Sequence, residues 1–140
     1  MAEAGTRPIP APSPETQPFW DGCARGELLL QRCRRCGTVW HPPSSLCPGC
    51  LATDYEWSAA SGKGMVYTYS VVHHAFRPVW EPLVPYIVAV IELAEGPHIV
   101  SNVVDAAVDA VAVGMPVTVI FHPISEQVSL PLFRPTSGMK

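Results

Sequence analysis

The chain has 140 residues, of which 48% are hydrophobic and only 15% charged, with a formal net charge of −3. A chain this long holds one substantial core or two small ones and buries roughly two-thirds of its unfolded surface, while the acidic balance excludes a general attraction for phosphate backbones. No apolar h-region marks a secretory signal, and Pro85, Glu92, Glu95, Asp105, Asp109 and Pro116 interrupt every apolar stretch before the roughly twenty residues a membrane helix needs; a cytoplasmic protein is expected. The charged fraction is below the roughly 25% of ordinary soluble domains, so part of the surface is expected to be covered by a partner.

Residues 1–18 carry Pro8, Pro10, Pro12, Pro14 and Pro18 among Ala, Ser, Thr and Glu, a composition that excludes regular helix and reads as a disordered leader or a linker from an upstream domain. Phe19 to Gly26 fits a short helix with Phe19, Trp20 and Cys23 on one side, too short to be stable alone. Leu28, Leu29 and Leu30 follow as a strand. This strand runs into Cys33-Arg34-Arg35-Cys36-Gly37, and after ten intervening residues the pattern recurs as Cys47-Pro48-Gly49-Cys50.

Two such pairs at ribbon spacing present four thiolates to one tetrahedral ion, so Cys33, Cys36, Cys47 and Cys50 are read as the ligands of a structural zinc. Four cysteines leave no open position for water or substrate, which argues against a catalytic metal. Gly37 and Gly49 are expected to let the backbone turn tightly in each knuckle, and Arg32, Arg34 and Arg35 to offset part of the charge on the thiolates. The alternatives are two disulfides, two redox pairs, or a rubredoxin-type iron site, which the same sulfurs would hold and which would be red. Cys23 stands outside both pairs and reads as a small apolar residue. Val39–Pro43 returns from the first knuckle, and Tyr55, Glu56 and Trp57 close the ribbon.

After the turn Ser58–Gly64 the periodicity becomes that of strands. Val66 to His74 alternates, which places Tyr67, Tyr69 and Val71 on one face and Val66, Thr68, Ser70 and Val72 on the other. A long loop from Ala75 to Pro85 precedes an apolar strand, Tyr86–Leu93, and a third, His98–Val103. The segment Asp105–Val113 has the Val and Asp content of a turn with at most one helical turn. Pro116–His122 and Gln127–Phe133 supply the last two strands. Five strands without a long helix predict a small barrel of OB type. The expected layout is therefore mostly β: residues 1–18 leader or linker, 19–58 short N-terminal helix and zinc ribbon, 59–140 five-stranded OB-fold barrel.

No nucleophile motif, dinucleotide loop, HExxH or paired-carboxylate signature is present in the sequence, so no catalytic residue is assigned. His73 and His74 at a strand end are the nearest to acid–base candidates, while His41, His98 and His122 are less distinctive. The loop bearing Phe76, Arg77, Pro78, Val79, Trp80 and Pro82 combines the residue types of binding hot spots, with a loop folded back on its own barrel as the alternative. Tyr67 and Tyr69 would serve a single-stranded nucleic-acid binder as stacking platforms, but the acidic balance and the scarcity of Lys and Arg after Lys63 weigh against nucleic acid.

Phe19-Trp20, Gly26-Glu27-Leu28, the two cysteine pairs, Pro42-Pro43, Gly62-Lys63-Gly64, Gly114-Met115-Pro116-Val117 and Leu132-Phe133-Arg134-Pro135 together resemble the DUF35 family, from about Phe19 to Pro135. The resemblance implies a short helix, a rubredoxin-like zinc ribbon and a C-terminal OB-fold. It also implies an accessory subunit, not catalytic alone, in a hetero-oligomer with a thiolase-like or lipid-transfer-protein-like aldolase acting on CoA thioesters, above all in steroid side-chain cleavage. A MaoC-like hydratase domain is a further implied partner, joined through a linker such as the Pro-rich leader. In that setting Arg34, Arg35 and Lys63, with Arg25 and Arg32 near them, are candidates to meet the phosphates of CoA.

Overall fold

The computed structural model describes residues 8–136; residues 1–7 of the expected leader lie outside the described residues. Helix α1 (Gln17–Arg25) begins two residues before the expected Phe19, with Pro18 in its first turn. The expectation that Pro18 excludes helix is thereby corrected: a first-turn N–H has no partner within the helix, so proline loses nothing there. Gly26, at φ 83°, closes the helix in a left-handed conformation. Its N–H reaches the Cys23 carbonyl and the Glu27 N–H reaches that of Gly22, at 3.1 and 2.8 Å, the paired bonds of a Schellman close. Phe19 and Cys23 are buried, and burial of this face, not intrinsic propensity, holds so short a helix.

The first sheet has three strands in the order β2 (Val39–Trp40), β1 (Leu29–Cys33), β3 (Tyr55–Ala59), all antiparallel. The second is a closed barrel of β4 (Lys63–Val72), β5 (Tyr86–Leu93), β6 (His98–Val103), β8 (Ser129–Pro135) and β7 (Pro116–Pro123), with β7 returning to β4. Only β6 and β8 run parallel, meeting at Val103 and Phe133. Closure removes the free strand edges that would otherwise invite pairing with another chain. The segment between β6 and β7 forms one 3-10 turn, Val108–Ala110, as its composition predicts. The final two strands end one and two residues later than expected, at Pro123 and Pro135.

Strand β5 alternates strictly, burying Ile87, Ala89, Ile91 and Leu93 inside the barrel. In β4 the expected alternation fails. Val66 pairs with Ile91 and Thr68 with Val90, so Tyr67 is an extra residue in a β-bulge. One added residue exchanges the faces beyond it: Val66 is fully buried and Tyr69 and Val71 pack on the core, while Tyr67 is turned outward. The grouping of Tyr67 with Tyr69 and Val71 on one face is corrected accordingly.

The core does not stop at the barrel. Phe19 and Cys23 of the helix, Leu28 just before β1 and Leu30 within it belong to one apolar cluster with Val66, Ile91, Val117 and Phe133. A smaller cluster of Cys33, Trp40 and Cys47, flanked by Ala52 and Tyr55, lies at the other end of the ribbon.

Gly64 of β4 lies tightly against β5. A Cβ there would lie 2.6 Å from the Glu92 carbonyl oxygen and 2.9 Å from Ile91 Cγ2. Gly64→Ala is expected to destabilise the fold by about 1–3 kcal/mol through this overpacking; an unchanged urea midpoint would show that β5 yields freely.

Candidate functional site: a four-cysteine metal centre

The two cysteine pairs fold into knuckles of the same design. In the first, the Gly37 N–H bonds the Cys33 carbonyl and the Cys33 N–H bonds Thr38; in the second, the Leu51 N–H bonds the Cys47 carbonyl and the Cys47 N–H bonds Ala52. Each knuckle contributes one buried sulfur, Cys33 or Cys47, and one exposed, Cys36 or Cys50. Gly37 takes the left-handed conformation its knuckle needs, at φ 81°, but the matching residue of the second knuckle is Leu51, at φ 64°. Gly49 was expected in that role. It serves instead by close approach: its N–H lies 3.3 Å from Cys47 Sγ, and a Cβ on it would meet Thr38 Oγ1 at 2.8 Å.

All four sulfurs lie within 4.8 Å of one another. Cys33 to Cys50 is 3.6 Å and Cys36 to Cys47 is 3.5 Å. These distances are well beyond the ~2.05 Å of a disulfide and all five cysteines are free. A tetrahedron of ~2.3 Å metal–sulfur bonds sets its sulfurs about 3.8 Å apart, so the donor set fits one tetrahedral ion. The N–H groups of Arg35 and Cys36 point at Cys33 Sγ, at 3.3 and 3.4 Å, which favours thiolate there.

The sulfurs are unequal. Cys36 is pulled down to about 6, first by the Thr38 hydroxyl 3.0 Å away. The Ala52 N–H lowers Cys50, but the neighbouring sulfurs and burial prevail and push it up to about 11. Crowded thiolates repel, and all four stay ionised together only around a cation.

The basic residues are not gathered into one site. Arg34 is drawn to Asp54 at 2.9 Å and Glu56 at 3.8 Å, so these carboxylates, rather than the sulfurs, take its charge. Arg34 and Arg35 lie in the first knuckle and Lys63 begins β4. Between them runs the five-residue ladder from Cys33–Tyr55 to Leu29–Ala59, ~17 Å long. No single phosphate cradle therefore unites Arg34, Arg35 and Lys63.

Gln31, the buried polar residue of β1, was not singled out in the sequence. Its amide clamps the segment before the second knuckle, donating to the Ser44 carbonyl at 2.6 Å and accepting from the Ser44 N–H at 2.9 Å. A lone Gln between Leu30 and Arg32 carries no signal for this. His73 and His74 are exposed just beyond β4, with His74 edge-on to Phe76. Burial pushes His41 down to about 4, leaving it neutral at pH 7, and pushes the Cys23 thiol up to about 12, leaving it inert. The hot-spot loop divides: Val79 is buried and Trp80 lies over Tyr86, whereas Phe76 is 85% exposed.

Residues 20–56 match the family profile described as the ChsH2 rubredoxin-like zinc ribbon domain, and residues 57–122 that of the ChsH2 C-terminal OB-fold domain. A DUF35 domain-containing scaffold protein of Methanocaldococcus jannaschii is 46% identical over 71% of this chain and 70% of its own length. The chain belongs to the DUF35 family. It is 39% identical to a probable enoyl-CoA hydratase alpha subunit of Thermomonospora curvata over 92% of its length, but spans only 40% of that relative. It is 36% identical over 77% of its length to the 3-oxo-4,17-pregnadiene-20-carboxyl-CoA hydratase alpha subunit of Mycobacterium tuberculosis, spanning 34% of it. Among solved structures it is similar to an Ltp2-ChsH2(DUF35) aldolase, with a TM-score of 0.82, 38% identity, and coverage of 91% of this chain and 98% of that one. Among the described residues no helix is long and apolar enough to cross a membrane.

Two outcomes are expected. Leu51→Gly removes the penalty of a left-handed leucine, about 1 kcal/mol, and should raise the melting temperature of the metal-loaded chain; a lower one would show that the exposed leucine side chain stabilises the knuckle. A thiol depressed in the fold, such as Cys36, contributes stability that is complete above its ordinary pKa of 9.0 and lost as pH falls through about 6. Coordination carries the same sign, so acidification should release the metal with uptake of several protons, followed with a chromogenic indicator; retention at low pH would contradict the four-thiolate assignment.

Proposed function

We propose that this chain is an accessory, non-catalytic subunit of a thiolase-superfamily acyl-CoA complex, namely a steroid side-chain retro-aldolase, and that its four cysteines hold a structural zinc. The observation that carries the reading is the likeness to the Ltp2-ChsH2(DUF35) aldolase, which extends over 98% of the matched chain. The chemistry of the site agrees with it. Four cysteine ligands leave zinc no open coordination position, and His41 and Cys23, tuned away from neutral pH by burial, offer neither a general base nor a nucleophile. Bond cleavage then belongs to the thiolase-like partner, and this chain supplies a rigid surface against which the partner's site is completed.

The pregnadiene-carboxyl-CoA named for the mycobacterial relative supports a steroid acyl group. The much greater length of the two hydratase relatives supports a MaoC-like hydratase domain as a second associate. CoA contact, where this chain makes it, falls to Arg35 at the knuckle or Lys63 at the start of the barrel individually, since Arg34 is held by carboxylates.

Phe76 is the anchor we assign to the partner interface: an exposed aromatic beside Arg77, on a loop that prolines stiffen, loses little entropy on docking. The test is co-expression with a thiolase-like protein, size-exclusion chromatography and an assay of CoA-thioester cleavage. A complex active only with both chains is expected, with Phe76→Ala weakening it at least tenfold without lowering the melting temperature. A partner fully active alone would overturn the accessory reading, and an unaffected Phe76→Ala complex would move the interface elsewhere.

A further inference from the structure

Beside the barrel lies an apolar groove of about 340 Å³, whose lining includes Trp80, Leu83, Tyr86 and Val103 and, from the start of the described chain, Pro8 and Pro10. The rings of Trp80 and Tyr86 stand 6.1 Å apart, inclined at 37°, and form an aromatic wall. Residues 8–12 cross this face without helix or strand. Pro8 is exposed; from Ile9 to Pro12 the chain alternates, Pro10 and Pro12 half-buried and Ile9 and Ala11 exposed, as an extended segment laid on a surface does.

The choice of buried residue decides what kind of contact this is. Indiscriminate apolar collapse would cover Ile9, the most hydrophobic side chain of the segment, yet Ile9 is 49% exposed while its neighbour Pro10 is half-buried and lines the groove. Proline has no N–H to leave unpaired against a barrel whose strands are already bonded to one another. Its fixed φ lowers the entropy lost on docking, and aromatic-walled grooves take proline-rich extended segments for these reasons. The downstream end is fastened as well. The Ser13 N–H reaches Thr16 Oγ1 at 2.9 Å and the Gln17 N–H reaches the Ser13 carbonyl at 2.7 Å, so the segment passes through a closed turn into α1, which the core holds through Phe19.

From this geometry we propose that residues 8–12 of the chain lie along the groove and close one side of it as a wall, through Pro8 and Pro10. They form a strap that fixes the direction in which any upstream polypeptide leaves the barrel. The strap stands independently of the aldolase reading, because it rests only on contacts within this chain.

The experiment is ¹⁵N NMR of the full chain beside a Pro8→Ser/Pro10→Ser variant, with the Trp80 indole signal assigned through Trp80→Phe. In the unaltered chain the heteronuclear NOE of Ile9 and Ala11 should match that of the barrel strands. The double variant should lose that order and shift the Trp80 indole, while the indoles of Trp20, Trp40 and Trp57 and the melting temperature hold. Random-coil NOE values at Ile9 and Ala11 in the unaltered chain, or a Trp80 indole indifferent to the variant, would overturn the strap.

Discussion

Four sulfurs converging on one point are the constraint on which the ribbon depends. The apolar cluster at that end holds only Cys33, Trp40 and Cys47 as buried members, and two of these three are ligands. So little apolar burial cannot order two knuckles and the chain between them; modules of this size are held by their metal. The knuckle hydrogen bonds, the Gln31–Ser44 clamp and the left-handed Leu51 all serve to aim thiolates. Where Leu51 tolerates an unfavourable backbone conformation, the convergence of the sulfurs is what holds it there.

The other end of the ribbon is fastened differently. Leu28 and Leu30 share the barrel's core with Phe19 of the helix, so the docked helix, the strand root and the barrel are held by one core, while the metal end has its own small cluster. A closed barrel without free edges and a four-ligand centre without an open position give a stiff platform. Its chemistry lies in presentation: Phe76 displayed on one loop, Tyr67 turned outward by a bulge, and an aromatic groove walled in part by Pro8 and Pro10. A platform of this kind suits a subunit that completes another protein's site.

Much of this was legible in the sequence because the determining chemistry is local. Cysteine spacing specifies a donor set, and alternation in β5 specifies an inward face. The misreadings arose where a tertiary partner decides. Nothing in Val66-Tyr67-Thr68 announces the extra residue, since a bulge is defined by the register of the opposite strand, and one slip exchanged Tyr67 with its neighbours. Leu51 was invisible because glycine is the usual sign of a left-handed turn, although the repeat itself placed it opposite Gly37. Arg34 looked free beside the sulfurs, but its carboxylates come from Asp54 and Glu56, twenty or more residues on. Trp80 and Phe76 carry equal weight as hot-spot types, and only the barrel wall separates the one that packs from the one that is presented.

Hydrogen exchange before and after removal of the metal by a chelator tests the central claim most directly. If the sulfurs hold the ribbon and the apolar core holds the rest, protection should vanish between Cys33 and Tyr55 while β5, β6 and the helix keep theirs. Knuckles that stay protected without metal, or a barrel that unfolds along with them, would contradict this division.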